Sequence, residues 1–219
     1  MNYKAIIFDM DGTLLDTLTG IIHAMNKTFE EYDSDTRFTN EDGKYFIGAG
    51  AAEFVNRALA RANLEIDDIM KFRSVYLSYY EEYQKIETKP FVGLDKVLTK
   101  LKEHGYLVGI CSNKPQDLLE KVTAQMYPNI KFDTIVGQRV GVPCKPEPQM
   151  MEIVKENLKL KSDDILFVGD SEYDYKFASK AKTDCLIVTY GYGIYENDFM
   201  NHITYKANNV QELEEMLLK

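Results

Sequence analysis

The sequence predicts an α/β protein: a doubly wound, mostly parallel sheet interrupted by an all-helical insert. Three observations lead there. Short apolar runs typical of buried parallel strands occur at the start of the chain and again, alternating with helical patterns, from about residue 89 onward. Between these regions the alternation stops, and apolar residues recur only at helical spacing. Four polar or acidic segments follow strand-like runs, and open α/β sheets hold ligands outside the carboxyl ends of their strands. Residues 1–16 and 87–219 are expected to form the core, with the first strand central, and 17–86 the helical insert.

The core opens with Tyr3-Lys4-Ala5-Ile6-Ile7, which reads as a buried strand, and continues into Phe8-Asp9-Met10-Asp11-Gly12-Thr13-Leu14-Leu15-Asp16. Strand alternation places Asp9 and Asp11 on one side, two residues apart. Carboxylates that close repel unless a cation or a shared proton intervenes. Gly12 permits a turn and close backbone approach to a ligand, and Thr13 adds a hydroxyl and an N–H. After Asp16, a helical stripe runs through Leu18, Ile21, Ile22, Met25, Phe29 and Tyr32, and Asp33-Ser34-Asp35-Thr36 breaks it. Phe54, Val55, Ala58, Leu59 and Ala62 make a second stripe. Ile69, Phe72, Tyr76, Tyr80 and Tyr83 make a third, whose tyrosines read as helical core. Phe46-Ile47-Gly48-Ala49-Gly50-Ala51 is a small-residue turn before a helix. Gly48 and Gly50 there let backbone N–H groups approach an anion, although a plain helix–helix connection has the same look.

The α/β rhythm resumes at Lys89-Pro90-Phe91-Val92-Gly93. Leu94, Val97, Leu98 and Leu101 fit one helix, closed by His104-Gly105, and Tyr106–Cys111 is the next strand. It ends in Ser112-Asn113-Lys114-Pro115, where a hydroxyl and loop N–H groups can hold anion oxygens. Phe132–Gly137 reads as a third strand. In Val142-Pro143-Cys144-Lys145-Pro146-Glu147-Pro148 the prolines stiffen the loop and position the Lys145 ammonium. Ile165–Val168, the fourth strand, runs into Gly169-Asp170-Ser171-Glu172-Tyr173-Asp174. Asp170 leaves the strand end as a candidate metal ligand, and Asp174, one helical turn on, supports the metal shell. Cys185–Thr189 is a fifth strand, Gly191-Tyr192-Gly193 a loop, and Val210, Leu213, Met216 and Leu217 mark a terminal amphipathic helix.

Composition narrows the function. A 219-residue chain with 45% hydrophobic residues can bury a sizeable core. A net charge of −9 argues against nucleic-acid or membrane-surface partners. An acidic protein that handles phosphates must bring local cations, either a metal or a few placed lysines. No leader pattern precedes the first strand, and no apolar run approaches membrane-spanning length. Cys111, Cys144 and Cys185 lack C-x-x-C spacing, so neither a disulfide framework nor a zinc site is expected, and a reduced cytoplasm is the simplest compartment.

Asp9-Met10-Asp11-Gly12-Thr13 after its strand resembles motif I of the haloacid dehalogenase-like superfamily, in its D-x-D-G-T phosphotransferase branch. Ser112-Asn113 is similar to motif II, Lys145-Pro146-Glu147-Pro148 to the K-P-x-P of motif III, and Gly169–Asp174 to the G-D-S-x-x-D of motif IV. The four occur in order and span nearly the whole core. Cys144 stands where the family often has another lysine, and Glu147 where it often has His, Ser or Asp. The resemblance implies a Rossmann-like core with a C1 cap over the active site, closest to the phosphoglycolate phosphatase-like group. It implies Mg²⁺ as cofactor, held by Asp9, Asp170 and the Asp11 backbone carbonyl with Asp174 in support. Asp9 would be the nucleophile, forming an aspartyl-phosphate, and Asp11 the acid and then the base. Lys145 would neutralise Asp9 and a phosphate oxygen. Gly12, Thr13, Ser112 and Asn113 would hold the phosphoryl group, with Gly48 and Gly50, and more weakly Lys44, facing the rest of the substrate. No cysteine has an arginine six residues later, and His23, His104 and His202 form no metal-binding pair.

The leading expectation is therefore a Mg²⁺-dependent phosphatase for a small phosphorylated metabolite, phosphoglycolate first, as a monomer or homodimer. A β-phosphoglucomutase-like sugar phosphomutase is the runner-up, although Gly48-Ala49-Gly50 does not match the mutase cap turn. A non-catalytic phosphate-binding module is the third reading.

Overall fold

The computed structural model describes residues 3–195 and 198–219. Met1 and Asn2, at the start of the expected core segment, and Glu196 and Asn197, within its second part, lie outside the described residues. In chain order the elements are β1 (Ala5–Phe8), β2 (Leu15–Asp16), α1 (Leu18–Glu31), α2 (Asn40–Phe46), α3 (Ala51–Ala62), α4 (Ile69–Glu87), β3 (Lys89–Pro90), α5 (Leu94–Glu103) and β4 (Leu107–Pro115). They continue with α6 (Gln116–Met126), β5 (Thr134–Gln138), α7 (Gln149–Leu158), β6 (Ile165–Gly169), α8 (Glu172–Ala181), β7 (Asp184–Val188), β8 (Tyr205–Ala207) and α9 (Val210–Leu217).

Six strands form one sheet in the order β5-β4-β1-β6-β7-β8, with every ladder parallel. β1 lies inside it, as expected, and all four of its residues are buried. Its alternation explains the double winding. Ile6 and Phe8 enter a cluster with Leu98, Leu119 and Leu213 from α5, α6 and α9. Ala5 and Ile7 point the other way, into a cluster with Met151, Val154 and Phe177 from α7 and α8. A sheet covered on both faces in this way opens to ligands at its carboxyl edge.

The helical region contains four helices rather than three stripes. The additional one, α2, is short, and a Thr39–Asp42 capping box starts it. Aromatic rings link the four helices. Phe29 meets Phe38 and Phe72 edge-on, Phe38 meets Phe46, Phe46 meets Phe54, Phe54 stacks on Tyr76, and Tyr76 stacks on Tyr80. The tyrosine stripe is thus core along most of its length, as the spacing suggests, and its Tyr80 ring reaches the Lys114 ammonium at the carboxyl edge of the sheet. Where the chain leaves and re-enters the sheet region, β2 and β3 pair antiparallel, with Leu15 opposite Pro90 and Asp16 opposite Lys89. Neither this ribbon nor β8 is apparent in the sequence, because two or three residues establish no period. The third strand starts two residues later than expected, at Thr134, and β4 runs on to Pro115.

Phe72 is fully buried where α4 meets α1. Phe72→Ala should cost about 3–5 kcal/mol, measured by denaturant unfolding. A loss below about 1 kcal/mol would show that the aromatic run is not the core of the helical region.

Candidate active site

β1 ends at Phe8, just before the acidic pair, and the Asp9 N–H carries the ladder one residue further by donating to the Val168 carbonyl at 2.8 Å. The pleat therefore does not place Asp11. A turn does: the N–H groups of Thr13, Leu14 and Leu15 all donate to the Met10 carbonyl. Gly12 sits in this turn at φ +84°, and a Cβ there would come within 2.3 Å of an Asp170 carboxylate oxygen. Thr13 is fully buried, and its hydroxyl donates to Asp170 Oδ1 at 3.4 Å. Gly12 thus brings its main chain against Asp170, the Thr13 hydroxyl is turned to the same carboxylate, and neither residue is among those that line the cavity. The tight turn aims them at the neighbouring strand end instead of outward.

Lys145 is the centre of the charged cluster. Its buried ammonium lies 2.7 Å from Asp9 Oδ1 and 2.6 Å from Asp174 Oδ1. Asn113 holds its main chain: the Lys145 N–H donates to Asn113 Oδ1 at 2.7 Å, and Asn113 Nδ2 donates to the Lys145 carbonyl at 3.0 Å. The same Nδ2 donates to the Gly48 carbonyl at 2.9 Å. The Asn113 side chain, expected to bind substrate, is therefore committed to protein. The Ser112 hydroxyl oxygen remains at the cavity wall and accepts only a long bond from the Lys114 N–H. Asp174 stands in a capping box with Ser171 at the start of α8. Its Oδ2 accepts from the Ser171 N–H at 3.1 Å and the Ser171 hydroxyl at 2.6 Å. Asp170 precedes that helix, so the cap, not a helical turn, relates the two aspartates.

The sequence reading missed Lys114. Its buried ammonium lies 2.9 Å from Asp11 Oδ1, contacts the Tyr80 hydroxyl, and stands 4.4 Å from the centroid of that ring. Its position next to Ser112-Asn113 at a strand end was the available signal. Arg57 and Tyr173 were missed as well. Arg57 Nη2 donates to the Tyr173 hydroxyl at 2.6 Å, joining α3 to α8 across the cavity mouth. The cavity, about 380 Å³, is walled below by Asp9, Asp11, Ser112, Lys145 and Asp170 and above by residues of the helical region. Gly48, Gly50 and Lys44 are among the latter and share the cavity with Asp9 and Asp11. Gly48 lies over Tyr173, where a Cβ would meet the ring at 2.8 Å, and Lys44 pairs with Glu41 at 2.8 Å.

Residues 6–188 match the family described as haloacid dehalogenase-like hydrolase. The chain belongs to the haloacid dehalogenase-like hydrolases. The phosphoglycolate phosphatase of Colwellia psychrerythraea is 25% identical over 199 residues, covering 89% of this chain and 88% of that one. The phosphoglycolate phosphatase of Rhodospirillum rubrum is 30% identical over 195 residues, covering 86% and 80%. A solved structure from Lactobacillus delbrueckii subsp. bulgaricus, offered as a candidate phosphoglycolate phosphatase, superposes with a TM-score of 0.90 at 30% identity over 99% of both chains. No helix among the described residues is long and apolar enough to cross a membrane.

In this haloacid dehalogenase-like hydrolase three buried carboxylates crowd one another at the site. Oxygens of Asp9, Asp170 and Asp174 lie within 4.8 Å of one another. Burial pushes the Asp9 carboxyl up to about 6, against the pull of Lys145 and with the help of Asp174. Burial and the charges of Asp174 and Asp9 also hold Asp170 well above the usual carboxylate range. Burial disfavours the Lys145 ammonium, but Asp174 and Asp9 outweigh it and hold its pKa raised. The donors are all carboxylate oxygens, which suits a hard divalent cation. Asp174 already serves Lys145 and the helix cap, so it is placed to orient the cluster. The Asp11 carboxylate points to Lys114 and is not in the cluster, which leaves only its backbone carbonyl for the metal role expected of it.

A raised carboxyl favours the folded state below its unfolded value and loses that advantage as pH rises through the folded one. In chelator, Asp9→Asn should therefore gain melting temperature over the parent as pH rises from about 4, the ordinary aspartate value, to about 6. Mg²⁺ should remove that gain above about pH 6 by stabilising the parent alone. Parallel melting curves of the two proteins across the window would contradict the burial argument.

Proposed function

We propose that this phosphoric monoester hydrolase is a Mg²⁺-dependent phosphatase of a small phosphorylated metabolite, with phosphoglycolate the leading candidate. The observation that carries the reading is the placement of Asp9, paired with Lys145 and clustered with Asp170, at the floor of a cavity roofed by the helical region. The names of the relatives support phosphoglycolate in particular.

Bound by Asp9, Asp170 and the Asp11 carbonyl, Mg²⁺ would offset the charge that accumulates when an anionic nucleophile meets a phosphate dianion. An Asp9 carboxylate oxygen attacks phosphorus to give an aspartyl-phosphate. Asp11, two residues on and held by Lys114, gives a proton to the leaving alcohol and then takes one from the hydrolytic water. Lys145 neutralises Asp9 and a phosphate oxygen, while Ser112 and neighbouring N–H groups orient the phosphoryl group. Asn113 contributes by fixing Lys145. Residues 17–86 act as a cap on the core of 1–16 and 87–219, moving on linkers beside the β2–β3 ribbon. Closure excludes water from the first step, and Gly48 and Gly50 contact the part of the substrate that leaves. The partner is a small metabolite, not a nucleic acid or a membrane.

Purified protein with Mg²⁺, screened against phosphorylated metabolites, should release phosphate from phosphoglycolate. Asp9→Asn should lower turnover by at least about 10³-fold with an unchanged circular dichroism spectrum. Near-parental, Mg²⁺-dependent activity in that variant would sink the covalent mechanism.

At Gly48 the backbone has φ +108° and no room for a Cβ. Gly48→Ala should cost about tenfold in kcat/KM on phosphoglycolate, about 1.4 kcal/mol, and less on an aryl phosphate. Equal losses on both substrates would make the turn structural only.

A further inference from the structure

The loop after β7, Gly191-Tyr192-Gly193, has no part in the chemistry above, yet it is packed hard against the site. A Cβ on Gly191 would lie 2.2 Å from the Gly12 carbonyl oxygen and 2.4 Å from Asp170 Oδ2, and one on Gly193 2.0 Å from the Asp170 carbonyl oxygen. The main chain of the loop is thereby pressed onto Asp170. The Tyr192 N–H donates to Asp170 Oδ2 at 2.6 Å, opposite the longer bond from Thr13 to Oδ1. These two bonds set the rotation of the carboxylate.

The other end of Tyr192 reaches the entrance of the helical region. Its hydroxyl accepts from the Thr17 N–H at 2.5 Å and the Leu18 N–H at 3.1 Å, and donates to Asp16 Oδ1 at 2.6 Å. The first N–H groups of a helix have no partner within it. Thr17, the N-cap of α1, makes no side-chain capping bond, so the tyrosine hydroxyl from the core stands in for one. Tyr192 is 7% exposed, with every polar atom of its hydroxyl occupied.

We propose that Tyr192 is a positioning residue that ties the Asp170 carboxylate to the chain crossing at Asp16–Leu18, so that cation affinity depends on how α1 is seated. The inference rests on the reading of Asp170 as a metal ligand. A partner that orients a ligating carboxylate is worth about 10–100-fold in metal affinity. Tyr192→Phe removes the anchor and leaves the backbone N–H itself in place.

The test is Mg²⁺ titration calorimetry on the whole chain, with Tyr127→Phe as the control. Tyr127 also loses a buried hydroxyl, which donates to the Leu14 carbonyl at 2.9 Å, and Asp170 is not its partner. Both variants should melt lower than the parent. Only Tyr192→Phe should weaken Mg²⁺ binding, by about tenfold, and raise the Mg²⁺ needed for half-maximal aryl phosphate turnover, with kcat at saturating Mg²⁺ retained. Mg²⁺ affinity within about twofold of the parent overturns the inference. So does an equal weakening in Tyr127→Phe. A parent that binds no Mg²⁺ overturns the metal reading and this inference together, whereas a binding parent with an unaffected Tyr192→Phe overturns this one alone. If Tyr192→Phe does not fold, Asp16→Ala, which removes only the exposed acceptor of the hydroxyl, is read the same way. It should weaken Mg²⁺ binding about threefold, and no change overturns the inference.

Discussion

A single buried ammonium organises this protein. Lys145 stands between Asp9 and Asp174, and a charge so deep in the protein is tolerated only when paired and held in place. The converse is equally strong. Asp9, Asp170 and Asp174 crowd together beneath the cavity, and without Lys145 their repulsion would force protonation or spread the loops apart. Three separate strand ends must therefore converge for the cluster to exist. The parallel sheet provides that convergence: Asp9 follows β1, Lys145 follows β5 and Asp170 follows β6, all on the same edge, and β4, which lies between β5 and β1, holds Lys145 through Asn113.

Asn113 makes the convergence rigid. One side-chain amide binds both main-chain groups of Lys145 and the carbonyl of Gly48, so the motif-II loop, the lysine loop and the turn of the helical region share one clamp. A second link between the regions runs through Tyr80. The stacked rings of Phe54, Tyr76 and Tyr80 end on the Lys114 ammonium, which in turn holds Asp11. The proposed acid is thus fixed from the core by Lys114 and indirectly from the helical region. Tyr192 makes a third link, from Asp170 to the entrance of α1. A displacement of the helices would be felt at three charged groups, which is the physical basis for expecting closure and catalysis to be coupled.

The sequence by itself determined the α/β class, the interior position of the first strand, the helical region and the four segments that line the site. Those features depend on local periodicity and on residue types at strand ends, which are properties of short stretches. It did not reveal β8, the β2–β3 ribbon or α2 as a helix, because elements of two, three or seven residues leave no reliable pattern. The tertiary structure alone decided what each side chain touches. It turned Gly12 and Thr13 toward Asp170, committed Asn113 to Lys145, gave Asp174 to the α8 cap, and drew Lys114 and Tyr192 into the site. Apart from the Ser171–Asp174 cap, these contacts join residues from 22 to 175 positions apart. No local spacing encodes them, and they follow only from which strand ends the sheet brings together.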